Sequence, residues 1–303
     1  DNAGNKKEII SEKIEITSVP NYWKKTTSND PEWYNYGTEV NAPKLGTGMT
    51  PIVYEGANKP TEKKWANAIT EDGSMWVWIP RYAYSITSGY HSSSTGTIEI
   101  KFLKESSNVA YDGTSAWDNV SGQGKWNIHP AFNYGQEVSG IWVAKFEASP
   151  EGATTSTSNS EYNGTGKKLQ VKPGVSSWRS ITISNIYDVC KNYNSALNSH
   201  MMKNDEWGAV AYLSKSRYGK SAEVDRNGNS SYYTGGGSGN AYVNNVGQST
   251  TGTVYGAYDM SGGAWEYVAA YVDNGDSNLT SYGSSLVNGD AKVKNVYTRG
   301  NRK

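Results

Sequence analysis

The stretch VYGAYDMSGGAWEYV, residues Val254 to Val268, decides how this chain is interpreted. It places four large aromatic residues around three glycines, with Asp259 and Glu266 between them. Two nearby carboxyl groups are what a glycoside-hydrolysing active site would use. Aromatic residues beside glycines are equally typical of a buried turn, because glycine permits tight backbone turns. The function assigned to the protein depends on which interpretation holds.

Composition narrows the class of protein. The 303 residues carry 29 basic and 29 acidic side chains, which gives no basic surface for nucleic acid. Cys190 is the single cysteine, which excludes a disulfide framework and a cysteine-based zinc site. The histidines, His91, His129 and His200, are too far apart to indicate a metal cluster. No apolar run approaches the ~20 residues of a membrane span, so we expect any membrane anchor to lie upstream of Asp1.

The aromatic and polar content indicates where the protein works. Tyrosine reaches 23 and tryptophan 11, while phenylalanine is only 3. Tyrosine and tryptophan combine an apolar face with one polar atom, which suits shallow cores and binding surfaces. Together with the high content of serine, threonine, asparagine and glycine, this composition favours a secreted or surface-exposed bacterial protein.

Two regions follow each other along the chain. In residues 1–71 the prolines at 20, 31, 43 and 51 favour loops and short strands, so we predict an irregular N-terminal wrap or small subdomain. A boundary near Asp72 then opens residues 72–303. Strands are predicted at MWVWIP, which is either buried on both faces or packs its tryptophans outward, and at GIWVAKFEA, residues 140–148.

Two helices are predicted near 184–196 and 204–217. Ser184 would cap the first, on which Cys190 is a packing residue rather than a nucleophile. Asp205 and Glu206 would complement the dipole of the second, and Gly219 would cap its end.

Four segments in order resemble one known family. TVYGAYDMSGGAWEYV resembles the signature turn NAYGLYDMxGNVWEW of the formylglycine-generating-enzyme (sulfatase-modifying-factor) fold, a branch of the C-type-lectin-like domains. MWVWIPRYAY, VSSWRSITISNIYDVCKNY and MMKNDEWGAVAYLSKSRYG resemble other landmarks of that fold in the same order. The resemblance implies an α+β C-type-lectin-like domain over 72–303, with short strands, two main helices and long loops. The family's final strand pair is missing, so we expect this domain to be cut short at its C-terminus.

The departures from the family bear on activity. Its oxidases bind copper through two cysteines near the C-terminus, whereas this chain has only Cys190. Gly263 stands where the family has asparagine, and the loss of that side chain weakens any calcium site at the turn. Glu266 alone would coordinate calcium poorly. We therefore predict no enzymatic activity and no cofactor; calcium at this turn is the alternative. Trp265 and Tyr267 are then expected to fill the core, and Glu266 to bind neighbouring backbone.

The chain is most similar to the binding branch of this fold, namely surface, pilin-like and phage-encoded proteins of Firmicutes, including diversity-generating-retroelement variable proteins. We expect a non-enzymatic extracellular ligand-binding or display protein on a bacterial or virion surface, whose partner is a protein or glycan on another cell or host. A pilin-like or filament subunit that self-assembles is the alternative; a formylglycine-generating-type oxidase and a carboxylate-pair hydrolase are less favoured. The binding face is predicted to combine loops after the second helix with the C-terminal segment. The candidate ligand-contacting residues there are Tyr271, Asp273, Asn274, Tyr282, Asn295, Tyr297 and Arg299.

Overall fold

Antiparallel strands and two α-helices form an α+β fold in the part of the chain that the computed structural model describes, residues 19–133, 136–157 and 166–269. The largest sheet has five strands in the order β1-β2-β3-β4-β8, all paired antiparallel. These strands are β1 (Trp23–Lys25), β2 (Thr50–Tyr54), β3 (Asn67–Ile69), β4 (Met75–Pro80) and β8 (Gly140–Ala144). The prediction of an α+β fold is confirmed.

Two smaller sheets complete the strand structure of the described residues. A three-stranded antiparallel sheet has the order β6-β5-β7, and a two-stranded ladder pairs β9 with β10. The strands are β5 (Tyr82–Ser88), β6 (Thr97–Phe102), β7 (Trp126–Ile128), β9 (Ser149–Pro150) and β10 (Leu169–Gln170).

Strand β4 lies inside the largest sheet and is covered on both faces, which is the first of the two arrangements predicted for it. Met75, Val77 and Ile79 are fully buried on one face, and Trp78 is buried on the other. Its neighbour β8 pairs with it over five residues, with Trp142 opposite Trp78 and their ring centres 5.3 Å apart. Both predicted strands are therefore present, although β8 ends at Ala144 rather than at residue 148.

The residues before Asp72 contribute directly to the largest sheet and its core. Strands β1, β2 and β3 come from this region, and Trp33 and Trp65 are buried in the same apolar cluster as Val77. The Trp65 indole N–H donates to the Tyr218 carbonyl, 2.9 Å away and 153 residues later in the chain. The predicted boundary thus falls in the connection between two paired strands, β3 and β4, of one sheet.

The two predicted helices are present, with different ends. Helix α1 spans Ile183–Lys191 and α2 spans Asn204–Lys215, and a 3-10 turn at Ser195–Leu197 follows α1. Thr182 occupies the N-cap position of α1, so the prediction that Ser184 caps it is wrong; Ser184 lies in the first turn. The C-cap of α2 is Ser216 rather than Gly219.

The start of α2 follows its sequence signals. Asp205 and Glu206 lie in the first turn, where negative charge complements the helix dipole. The Glu206 carboxylate also accepts a hydrogen bond from the backbone N–H of Lys203 at 2.7 Å, which satisfies a donor that the helix leaves free. None of the helices in the described residues is long and apolar enough to span a membrane.

A buried lysine joins the end of β8 to the late part of the chain. Lys145 is fully buried, and its ammonium group donates to the carbonyls of Val254 at 2.6 Å and Gly256 at 2.9 Å. It lies over the rings of Trp23 and Tyr258, at 5.1 Å and 5.5 Å. Burial holds the pKa of this lysine well below its usual range.

Candidate functional site

The first half of the Val254–Val268 stretch is part of the core. Val254, Tyr255, Ala257, Tyr258 and Met260 are all buried. Tyr258 stacks on the Phe146 ring, and its hydroxyl donates to the Tyr242 carbonyl at 3.2 Å. For these residues the structural interpretation of the stretch is confirmed.

The second half turns outward, and the prediction that Trp265 and Tyr267 fill the core is wrong. Trp265 is 88% exposed and Tyr267 is 44% exposed. Between the halves, Gly262 and Gly263 have φ angles of 79° and 68°, a left-handed conformation that glycine adopts without strain. These consecutive positive angles direct the chain out of the core before the tryptophan is reached.

Two acidic side chains anchor this turn from inside the protein. Asp259 is 3% exposed, and it accepts hydrogen bonds from the backbone N–H groups of Gly235 (2.8 Å) and Glu147 (3.3 Å) and from the Asn227 amide (2.9 Å). The Glu147 carboxyl accepts from the backbone N–H of Ala264 at 2.9 Å. Glu147 therefore holds the turn just before Trp265.

The hydrogen bonds assign different protonation states to the two acids. Every group bonded to the Asp259 oxygens is a donor, which suits an ionised carboxylate. The Ser177 hydroxyl contacts both a Glu147 carboxyl oxygen and the Tyr232 carbonyl, yet it has one proton to donate. If Glu147 is protonated, it donates to Ser177, and Ser177 donates to Tyr232, so that every polar atom in this chain of contacts is satisfied.

The pKa directions agree with that assignment. Burial, and next the charge of Asp259, raise the pKa of Glu147 to about 9. Burial raises the pKa of Asp259 to about 6, although its hydrogen-bond donors act in the opposite direction. At neutral pH the pair therefore carries one proton, on Glu147. Sequence reasoning did not select Glu147; an acidic residue inside the largely apolar segment GIWVAKFEA was the available signal.

Asp259 and Glu266, the two carboxyl groups of the quoted stretch, have separate environments. Asp259 is saturated by internal donors and is closed to a ligand. Glu266 is exposed and lines a cleft with Trp207, whose indole N–H donates to the Met260 carbonyl at 3.1 Å. Desolvation of the carboxyl group, and next the charge of Asp259, raise the pKa of Glu266 to about 8. The geometry gives this pair no shared access to a substrate.

An open cleft of about 1040 Å³ lies against the outward half of the stretch. Its walls come from the segment before α1, the first turns of α1 and α2, the loop after α2 and the glycine turn. The wall residues that could contact a ligand through a ring or a charge are Trp178, Arg179, Trp207, Arg226, Tyr232, Trp265, Glu266 and Tyr267. A large cleft with aromatic walls and a few polar groups is typical of a ligand-binding site.

The predicted ligand-contacting residues cannot be placed relative to these walls, because the structure describes the chain only as far as residue 269. Tyr271, Asp273, Asn274, Tyr282, Asn295, Tyr297 and Arg299 lie outside the described residues, so their role stays a prediction. The other part of the predicted binding face, the loop after the second helix, does line the cleft through Arg226 and Tyr232. Sequence reasoning selected neither of these residues individually.

The described residues offer little to a metal ion. Among them, no three histidine, cysteine, aspartate or glutamate side chains are grouped so that they could hold one. Cys190 is a free thiol that packs beside the apolar cluster containing Phe146 and Trp178. Burial raises its pKa to about 12, which disfavours the thiolate that a nucleophile or metal ligand requires.

No protein-family model matches this chain, and no curated protein matches it.

Proposed function

We propose that this protein is a non-enzymatic, extracellular ligand-binding domain displayed on a bacterial or virion surface, and that its ligand occupies the cleft beside the glycine turn. The fold we propose is C-type-lectin-like, of the formylglycine-generating-enzyme type. The four segments that carry that resemblance fall on β4, on the approach to α1, on α2 and on the Val254–Val268 stretch. Antiparallel sheets and two helices are compatible with such a domain.

The exposure of Trp265 carries the functional proposal. Trp265 is 88% exposed and Tyr267, two residues later, is 44% exposed at the same cleft, and exposed apolar surface that is contiguous marks an interaction site. The backbone before Trp265 is held by internal bonds, since Glu147 binds the neighbouring Ala264 and the Asn227 carbonyl accepts from Gly263 at 2.9 Å. An aromatic side chain whose backbone is held at the edge of a cleft offers contact area at low entropic cost.

A printed array of glycans and surface proteins, probed with the labelled protein, tests the proposal. We expect Trp265→Ala to lose at least about tenfold in affinity for the bound spots, as is typical when an aromatic anchor is truncated. The melting temperature should stay unchanged, because the side chain buries little. Tyr22→Ala is the matched control, since Tyr22 is 49% exposed and lies outside the cleft. Equal binding by the wild type and Trp265→Ala would show that the cleft is not the site.

A further inference from the structure

Arg179 lines the cleft and has hydrogen-bonding capacity that the described residues leave unused. Its guanidinium carbon lies 4.2 Å from the ring centre of Tyr232, and both residues line the cleft. Its Nε is buried and has no hydrogen-bond partner in the structure. The ion pairs found among the described residues involve other cations. A guanidinium held on an aromatic face at a cleft wall can bind a planar anion through the parallel N–H groups at the end of its fork.

The charges on the cleft walls add to this arrangement. Arg226 is a second, exposed cation, and its side chain lies so close to the glycine turn that a Cβ on Gly262 would come within 2.4 Å of the Arg226 Cγ. Among the described lining residues Glu266 alone is acidic, so the two arginines outnumber the acidic side chains. The cleft therefore presents positive charge, which attracts an anionic ligand.

The aromatic walls indicate what the anionic group is attached to. Trp265, Tyr267 and Tyr232 are 88%, 44% and 38% exposed, so they form open platforms rather than closed pockets. Peptide anchors are usually desolvated in closed pockets. A sugar ring instead lays one face of C–H groups on the electron-rich face of an aromatic ring and keeps its hydroxyls in water.

We propose that the cleft binds an oligosaccharide that bears a carboxylate, with Arg179 binding the carboxylate and Trp265 stacking on a sugar ring. This inference rests on the proposed function, because it names the ligand class of the same cleft. Tyr232 is a positioning residue in this arrangement, since it holds the guanidinium plane.

An array that carries oligosaccharides with uronic or sialic acids beside their methyl esters tests the inference, since esterification removes the charge and keeps the shape. Sulfated oligosaccharides and acidic peptides on the same array distinguish other anions. We expect binding to the free acids and at least tenfold weaker binding to their esters. For the strongest acid, titration calorimetry should show a loss of about 10- to 100-fold for Arg179→Gln, as expected when a charge-assisted hydrogen bond is removed. Arg179→Lys should bind this acid with an affinity between those of the wild type and Arg179→Gln, because lysine keeps the charge without the planar fork.

Arg217→Gln is the control, since Arg217 lies outside the cleft and binds the Tyr218 hydroxyl. It should bind like the wild type, and all variants should keep the wild-type melting temperature and circular dichroism. Equal binding to acids and esters, with Trp265→Ala defective and Arg179→Gln normal, would overturn this inference and leave the proposed function standing. Preference for sulfated sugars or acidic peptides would also overturn it. An array with no bound spot would overturn both proposals.

Discussion

Replacing Glu147 with glutamine should remove a pH dependence from the stability of this protein. The folded chain holds a proton on Glu147 up to about pH 9, whereas the unfolded chain releases it near the ordinary value of 4.5. Between those values the folded state binds more protons than the unfolded state, so stability falls as pH rises. Glutamine has the shape of the protonated acid, and its amide can still donate to Ser177 and accept from Ala264.

The size of this pH dependence follows from the difference between the pKa of Glu147 in the folded chain and in the unfolded chain. Between about pH 7 and about pH 9, the folded wild type holds close to one extra proton, which costs about 1.4 kcal/mol per pH unit. Because Glu147 is half ionised at the upper limit, its titration alone should lower the free energy of unfolding by about 2 kcal/mol over this interval, and Glu147→Gln should remove that part of the decrease. The pKa of Asp259, about 6, places its own titration below the interval. Urea unfolding of the wild type and Glu147→Gln at several pH values measures the difference.

Glu266→Gln is the matched control, because Glu266 also has a raised pKa, about 8, but lies at the cleft. Glu266→Gln should reduce the pH dependence of the free energy of unfolding mainly below about pH 8. The decrease toward pH 9 should remain. A Glu147→Gln curve parallel to that of the wild type from about pH 7 to about pH 9 would refute the assignment of the proton to Glu147. So would a variant that is destabilised equally at every pH, since that result indicates lost packing.

Three further substitutions test the core. Lys145→Ala removes a buried ammonium that bonds two buried carbonyls, so it should cost about 3–5 kcal/mol in urea unfolding, and a loss below about 1 kcal/mol would contradict the bonding. Cys190→Ala should cost about 1–2 kcal/mol, with copper content by elemental analysis equal in both proteins; stoichiometric copper lost in the variant would contradict a packing role. Gly256→Ala should lower the melting temperature, since its Cβ would lie 2.7 Å from the Thr251 backbone nitrogen, whereas the control Gly247→Ala, with only a 3.9 Å contact, should not.

Local patterns predicted the regular elements of this fold well. Strand β4 shows a short alternating apolar run, and the acidic residues that begin α2 mark its first turn. Such signals act over a few residues, so one sequence contains them. The ends of α1 were harder, because a threonine and a serine two residues apart are both acceptable N-caps and tertiary packing chooses between them.

The candidate site depended on contacts between distant residues. Glu147 and Asp259 are 112 positions apart, and Arg179 meets Tyr232 across more than fifty residues. No local sequence pattern predicts which distant side chains will lie close together in the folded chain. Trp265 was assigned to the core because large aromatic residues are usually buried, and two left-handed glycines before it reverse that expectation.

One continuous segment, residues 254–268, contributes both to the core and to the wall of the cleft. Residues 254–260 are buried and fixed by Lys145, while residues 262–268 form a wall of the cleft. The link between the halves is the acid pair, since Asp259 belongs to the first half and Glu147 holds Ala264 in the second. A ligand on Trp265 therefore meets a surface whose position is set in the core, which lowers the entropy lost on binding. Variants that loosen the acid pair should weaken ligand binding even where they leave every cleft side chain unchanged.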